Sequence, residues 1–391
     1  MKIILTAIRS GLVIFSLFFS SVNSLAGSFV KTQELTGIFK HGILEISTSE
    51  KGDYVFIEEG SKNYWLMSTV RPFMPYKIFD DKLNSLPYEK KPVHAQWHNQ
   101  HIMFFYRDRI EFYNVQNKKI EHRYMLDISG YENEIIWSEK HRSFIAGTKV
   151  FPIDRTTEGH LGQDRHAAQT GLVMMNNGDD YITSGYHDQR IMRWTLPNGE
   201  LKKAWQIGSW YSSRKVSDIA LIDNRLLVAS NNGLIEERSL EEGTVLWSAT
   251  PCSGFFNSTP PAFLLNGGAR FKKRSISHNR LVFYDCSDSD SGPEYGYIEK
   301  QGNEWVLNKI ILPSTGNTGL GRVYYLETLE KAIFGLDDGQ VLLYDLKSKR
   351  IDQEIVPKVA GGEGLAMLAY LKADKLLVIV KNGGVDIYQY Q

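Results

Sequence analysis

From about residue 28 onward, short apolar runs alternate with tight polar turns, and apolar residues almost never recur at the three-to-four spacing of a helix. Five segments share one grammar: a short apolar strand, a polar or Gly turn, then a strand alternating apolar and polar residues. They read HIMFFYRDRIEFYNV, YITSGYHDQRIMRWTL, LLVASNNGLIEERSL, AIFGLDDGQVLLYDL and LLVIVKNGGVDIYQY. The alternation, as in Ile191, Arg193 and Thr195 against Met192, Trp194 and Leu196, gives each strand two differently packed faces. The turns Asn232-Gly233 and Asp338-Gly339 supply the positive φ that suits antiparallel hairpins. Helical signal is confined to the first 26 residues and to short turns between 80 and 90.

Aligning the first apolar residue after each turn gives Ile110, Ile191, Ile235, Val341 and Val385. Fainter copies at Tyr64, Val150 and Tyr297 fill the gaps, so that successive steps are 46, 40, 41, 44, 62, 44 and 44 residues. Units of ~40 to 50 residues with about four short strands are the mark of propeller blades. One such sheet cannot bury both faces, so blades must stack and the ring must close. The spacing predicts an all-β chain forming a single β-propeller over 27–391 with eight four-stranded blades. Seven is the alternative, because the third unit's outer strand is faint. The last unit stops after its third strand at Gln391, and residues 28–36 can supply the missing outer strand.

At two places the residues resemble known families. SGYHDQRIMRWTL and FGLDDGQVLLYDL are similar to the second and third strands of WD-repeat blades, with Trp194-Thr195 and Tyr344-Asp345 in place of Trp-Asp. LEEGTVLWS, residues 240–248, resembles the strand ending of quinoprotein-like propellers. The resemblance implies the propeller fold, and it leaves function open because propellers carry many unrelated activities.

The N-terminal residues bear on destination. Lys2 and Arg9, the apolar run Gly11 to Phe19 and the step Ser24-Leu25-Ala26 follow the order of a secretory signal peptide, predicting a leader over 1–26. The run is shorter than the ~20 residues of a membrane span, so a retained anchor fits less well. No Cys stands near the cleavage point, which argues against a lipoprotein. The expected destination is the periplasm or the exterior. Lys plus Arg and Asp plus Glu are 45 each, so the balance shows no nucleic-acid or anionic-membrane footprint. The two cysteines, Cys252 and Cys286, are expected to pair in an oxidising compartment, the alternative being two buried thiols. The 62-residue step carries an insertion of about 18 residues from Pro251 to near Gly268, and loops of that length in a repeat are often functional.

Candidate chemistry is sparse. His160, Asp164 and His166 lie close together where the third unit's fourth strand is expected, and offer two imidazoles and a carboxylate for zinc or acid-base work. Their spacing matches no established metal signature. Asp285, Asp288 and Asp290 suggest a calcium loop, but Gly292 falls where an oxygen ligand belongs, so a hairpin tip is the plainer reading. Arg270, Lys272, Lys273 and Arg274 form a basic cluster fit for an acidic partner. Trp210-Tyr211 and Phe255-Phe256 fall in connections, where aromatic residues commonly anchor protein or glycan partners. Gly316 to Gly321 and Gly361 to Gly364 lack the context of a phosphate cradle. The expected function is an exported, non-catalytic scaffold that binds a protein, or less readily a glycan, through loops on one face, with no cofactor. The alternative is an enzyme with a metal or quinone at the channel mouth.

Overall fold

A computed structural model describes residues 27–49, 51–69, 73–79, 91–125, 135–153, 160–161, 166, 169–207, 215–222, 225–230, 232–252, 262–264, 281–286, 294–302, 304–312, 320–336, 338–358, 367–371, 375–381 and 383–391. The leader over 1–26 and the turns of 80–90 lie outside these residues. Apart from two single 3-10 turns, Gly60–Lys62 and Glu327–Leu329, every regular element among the described residues is a strand.

The first strand, β1 (Phe29–Leu35), belongs to the last blade. Blade 1 holds β2 (Ile43–Thr48), β3 (Tyr54–Glu59), β4 (Asn63–Ser68) and β5 (Pro75–Lys77). Blade 2 holds β6 (His94–His98), β7 (His101–Phe105), β8 (Arg109–Asn114) and β9 (Lys119–Met125). Blade 3 holds β10 (Ile135–Ser138), β11 (Ser143–Ala146), β12 (Lys149–Pro152) and β13 (His160–Leu161). Blade 4 holds β14 (Gln169–Met174), β15 (Asp180–Gly185), β16 (Arg190–Thr195) and β17 (Glu200–Gln206). Blade 5 holds β18 (Val216–Ile222), β19 (Arg225–Ser230), β20 (Ile235–Arg238) and β21 (Val245–Ala249). Blade 6 holds β22 (Ala262–Leu264), β23 (Leu281–Cys286), β24 (Glu294–Gln301) and β25 (Glu304–Ile310). Blade 7 holds β26 (Leu320–Leu326), β27 (Lys331–Leu336), β28 (Val341–Asp345) and β29 (Arg350–Val356). Blade 8 holds β30 (Met367–Leu371), β31 (Leu376–Lys381), β32 (Gly384–Tyr390) and, outermost, β1. The count is eight, and the faint outer strand of blade 3 is present as the two residues of β13.

The periodicity has a single physical origin. All eight aligned residues, Tyr64, Ile110, Val150, Ile191, Ile235, Tyr297, Val341 and Val385, sit in the third strand of their blades and are buried. Gly233 and Gly339 take positive φ of 80° and 84°, as the turn before that strand requires. Gly233 has a second constraint, since a Cβ there would meet the Cys252 carbonyl oxygen at 2.7 Å.

No central core exists among the described residues. Apolar side chains instead form eight separate clusters, each at one seam between neighbouring blades. Phe56, Tyr64 and Phe104 fill the seam of blades 1 and 2, and Ile46, Val55, Val378 and Val385 that of blades 8 and 1. Because each blade needs a neighbour on both sides, the ring is stable only when the eighth seam shuts.

Three devices shut it. First, β1 pairs antiparallel with β32 from Phe29 opposite Tyr390 to Leu35 opposite Val385, as the short last unit predicted. Second, the Gln353 side chain clasps that strand from blade 7, its amide donating to Phe29 O and its Oε1 accepting from Phe29 N, both at 2.7 Å. Third, Arg322 on the inner strand of blade 7 reaches past blade 8 to blade 1. Its guanidinium donates to Ile46 O at 2.6 Å, to Leu368 O at 3.5 Å and to Glu45 Oε1 at 2.8 Å, and it is wholly buried. Glu45 and Arg322 both stand just after a register shift near the start of their strands, as do Gly171 and Asp218. Such bulges re-aim a side chain out of the regular alternation.

Cys252 and Cys286 are disulfide-bonded, with Cα atoms 5.7 Å apart, joining the end of blade 5 to the second strand of blade 6. A loop closed over 34 residues corresponds to about 3 to 4 kcal/mol of lost unfolded-state entropy. Replacing both cysteines by alanine is expected to lower the thermal midpoint by several degrees, measured by calorimetry. An unchanged midpoint would mean that the seam of blades 5 and 6 holds without the bridge. The extra length of this region differs in place from the sequence expectation. β22 lies inside the stretch read as insertion, and a further connection, 265–280, separates it from β23.

Candidate functional site

The strand directions put the turns between first and second strands, and between third and fourth, on one face of the ring. The disulfide lies towards the other. Among the described residues, grooves between blades 2 and 3 and between blades 5 and 6 open on that first face.

The groove between blades 2 and 3 has a volume of about 500 Å³ and aromatic walls: His98, His101, Phe112, His122, Tyr124 and Trp137. Phe112 forms the floor, edge-on to Tyr124 at 5.6 Å and to Trp137 at 6.4 Å. Trp137 donates through Nε1 to Glu139 Oε2 at 2.7 Å, and His98 Nε2 lies 3.0 Å from the same oxygen. His101 contacts Glu121 at 2.7 Å and, with Asn117 and Asn114, holds the Glu121 carboxyl down at about 2. The walls are therefore fixed by hydrogen bonds within the chain.

The groove between blades 5 and 6 has a volume of about 610 Å³ and is lined by Arg225, Glu237, Leu246, Trp247, Glu304 and Trp305, among others. Glu237 accepts from Trp305 Nε1 at 2.6 Å and pairs with Arg225 at 3.2 Å. Beside it Arg238 is spent on Glu236 and on the Gly243 carbonyl. Above this framework Leu246 is 62 % exposed and Val245 44 %. Neither groove was picked out from the sequence. The Leu246-Trp247 pair stood in the segment LEEGTVLWS, but its exposure follows only once β21 is known to be an outer strand.

The residues predicted from sequence fare differently. His166 is placed by the structure in a relay rather than in an open site. Its Nδ1 lies 2.8 Å from Asp188 Oδ2, its Nε2 2.7 Å from Thr183 Oγ1, and Thr183 Oγ1 also accepts from Trp194 Nε1 at 2.8 Å. Both ring nitrogens are thus engaged inside blade 4, and the His166 side chain is 1 % exposed. His160 contributes backbone to β13 opposite Val150, while Asp164 lies outside the described residues. Asp285 is a buried member of β23 rather than a loop residue, and Asp288 and Asp290 fall outside the described residues. Trp210, Tyr211, Phe255, Phe256, Arg270, Lys272, Lys273, Arg274 and the glycine runs over 316–319 and 361–364 also lie outside them. Among the described residues no group of three or more His, Cys, Asp and Glu is placed to hold a metal ion, and no helix is long and apolar enough to cross a membrane.

The relay makes a prediction. Burial opposes ionisation of Asp188, but the hydrogen bond and charge of His166, with the backbone N–H and charge of Arg190, outweigh it and leave the carboxyl below its ordinary value. A depressed carboxyl stabilises the fold above its unfolded value near ~3.9 and loses that contribution as pH falls through the folded value. His166→Ala leaves Thr183 and Asp188 without their shared partner and is expected to cost about 1 to 3 kcal/mol at neutral pH. Denaturation of the two proteins should converge as pH drops below about 4. A pH-independent difference would sink the assignment.

Comparison with known proteins adds fold and nothing finer. No family model matches this chain, and no curated protein does. Among solved structures, that of the computationally designed Ika8 protein, in its first crystal packing in P63, is similar with a TM-score of 0.59. It is 12% identical, with 92% of this chain and 100% of that chain covered. The chain is thus an eight-bladed β-propeller.

Proposed function

We propose that the protein is an exported, non-catalytic scaffold that holds a protein partner on one face of the ring. The observation that carries this is the groove of blades 5 and 6, where exposed Leu246 and half-buried Trp247 stand on a rigid hydrogen-bonded base. Apolar and aromatic side chains presented on a fixed frame bind with little ordering cost. Beneath them the charged groups of the base are paired with one another: Arg238 with Glu236, and Arg225 with Glu237. Export is supported by the leader-like first residues and by the disulfide, which persists in oxidising compartments.

Two measurements test the reading. N-terminal sequencing of the protein from its native compartment is expected to begin at Gly27, and retention of Met1 would remove the case for export. Affinity capture with the disulfide-bonded protein is expected to yield a stoichiometric partner. Equimolar metal or quinone in the purified protein would instead favour an enzyme.

A further inference from the structure

The outer strand of each blade is a sheet edge, and seven of the eight are blunted in the ways that natural sheets use against stray pairing. Lys119, Glu121 and Arg123 stand on β9, Glu200, Lys202 and Lys203 on β17, Glu304 and Lys309 on β25, Arg350, Asp352 and Glu354 on β29, and Lys31 and Glu34 on β1. β5 begins with Pro75 and ends with Lys77, and β13 has only two residues. The eighth, β21, reads Val-Leu-Trp-Ser-Ala and carries no charge. Its two exposed apolar residues are followed by Trp247, which packs into the groove of blades 5 and 6. A bulge at Leu246 turns that side chain outward, but β9, β17 and β29 have similar bulges, so the bulge is not what sets β21 apart.

We propose that β21 is an accepting edge: an extended segment of a protein partner adds to blade 5 as a fifth strand. The segment pairs its backbone with the outer groups of β21, lowers an apolar side chain onto Leu246 and Trp247, and sets a Lys or Arg against Glu304. Strand addition of this kind takes affinity from main-chain hydrogen bonds and selectivity from alternate side chains. The basic residue follows from charge. Glu304 lines the groove and is exposed, and among the described residues its carboxylate has no ion-pair partner, whereas Glu237 is held by Trp305 and Arg225. A second copy of this chain is the poorer occupant, because edge-to-edge pairing over five residues buries far less than the ~1,200 Å² of a stable interface.

This inference rests on the scaffold reading, and its test separates the two. A phage-displayed library of linear decapeptides is panned against the disulfide-bonded protein. The expected result is convergence on peptides with alternating apolar residues and one Lys or Arg. A synthetic consensus peptide should then protect the amides of Val245–Ala249 from hydrogen exchange. Leu246→Lys, at an exposed position, should weaken its binding at least tenfold with an unchanged thermal midpoint, and Glu304→Lys should weaken it several-fold. No convergence, protection at another surface, or indifference to Leu246→Lys overturns the accepting edge. Of these, protection in the groove of blades 2 and 3 leaves the scaffold reading standing. A concentration-dependent dimer abolished by Leu246→Lys would assign the edge to self-pairing and likewise overturn the proposal.

Discussion

Replacing Arg322 with methionine is expected to cost about 3 to 5 kcal/mol, the usual penalty for leaving one partner of a buried ion pair behind. Glu45 would lose the guanidinium 2.8 Å from its Oε1, and the carbonyls of Ile46 and Leu368 would lose their shared donor. The effect should fall on one place, because the three partners belong to blades 1 and 8 while Arg322 belongs to blade 7. Hydrogen exchange is therefore expected to rise in β2, β26 and β30 before it rises in blades 3 to 5. Adding Glu45→Leu to the same protein removes the carboxylate that faced Arg322. Buried pairs replaced as a unit by apolar residues are often close to neutral, so the double variant should recover a large part of the loss. It should not recover all of it, since the Ile46 carbonyl stays without the guanidinium, whereas the Leu368 carbonyl keeps the Tyr324 hydroxyl at 3.2 Å. Denaturant midpoints of the single and double variants decide the matter. If the single variant is as stable as its parent, the guanidinium does not hold the ring shut.

Deleting residues 27–36 should have a larger effect still. It removes β1, strips β32 of its outer partner, and takes away Phe29, which is buried in the seam of blades 7 and 8 against Tyr370 and Tyr390. The exposed edge of β32 would be a template for pairing with other chains. Given a typical margin of about 5 to 15 kcal/mol for a folded chain, the truncated protein is expected to be aggregated or unfolded at room temperature. A synthetic peptide of residues 27–36 supplied in trans should restore a soluble ring, because β1 docks through a continuous backbone ladder. A truncated protein that stays monomeric with its parent's midpoint would show that closure does not depend on β1.

Much of this architecture was legible in the sequence because it is written locally. The buried residue after each turn recurs in every third strand, and the unit lacking a fourth strand pointed directly to residues 28–36. The disulfide was legible because only two cysteines exist and the repeat set them on neighbouring blades. What escaped was non-local or depended on what a side chain is already doing. Arg322 and Glu45 are separated by 277 positions and belong to different blades, so no window of sequence joins them. His166 sits in a run rich in titratable groups, but composition does not reveal that Thr183 and Asp188 take both ring nitrogens. Asp285 looked like a turn residue through its Ser and Asp neighbours, yet it completes the strand that ends at Cys286. The absence of charge on β21 has meaning only beside seven other edges, and those are recognisable as edges only after the chain is folded.

The pairing of β1 with β32 also sets a timetable. The first described strand is the one whose partner is the last of the described strands, so blade 8 stays incomplete until all the others have been made. Until then seven blades form an arc with two unsatisfied ends, and a free N-terminal segment trails from blade 1. A chain built this way gains from staying unpaired at both ends until it is whole, with ring closure as its final step.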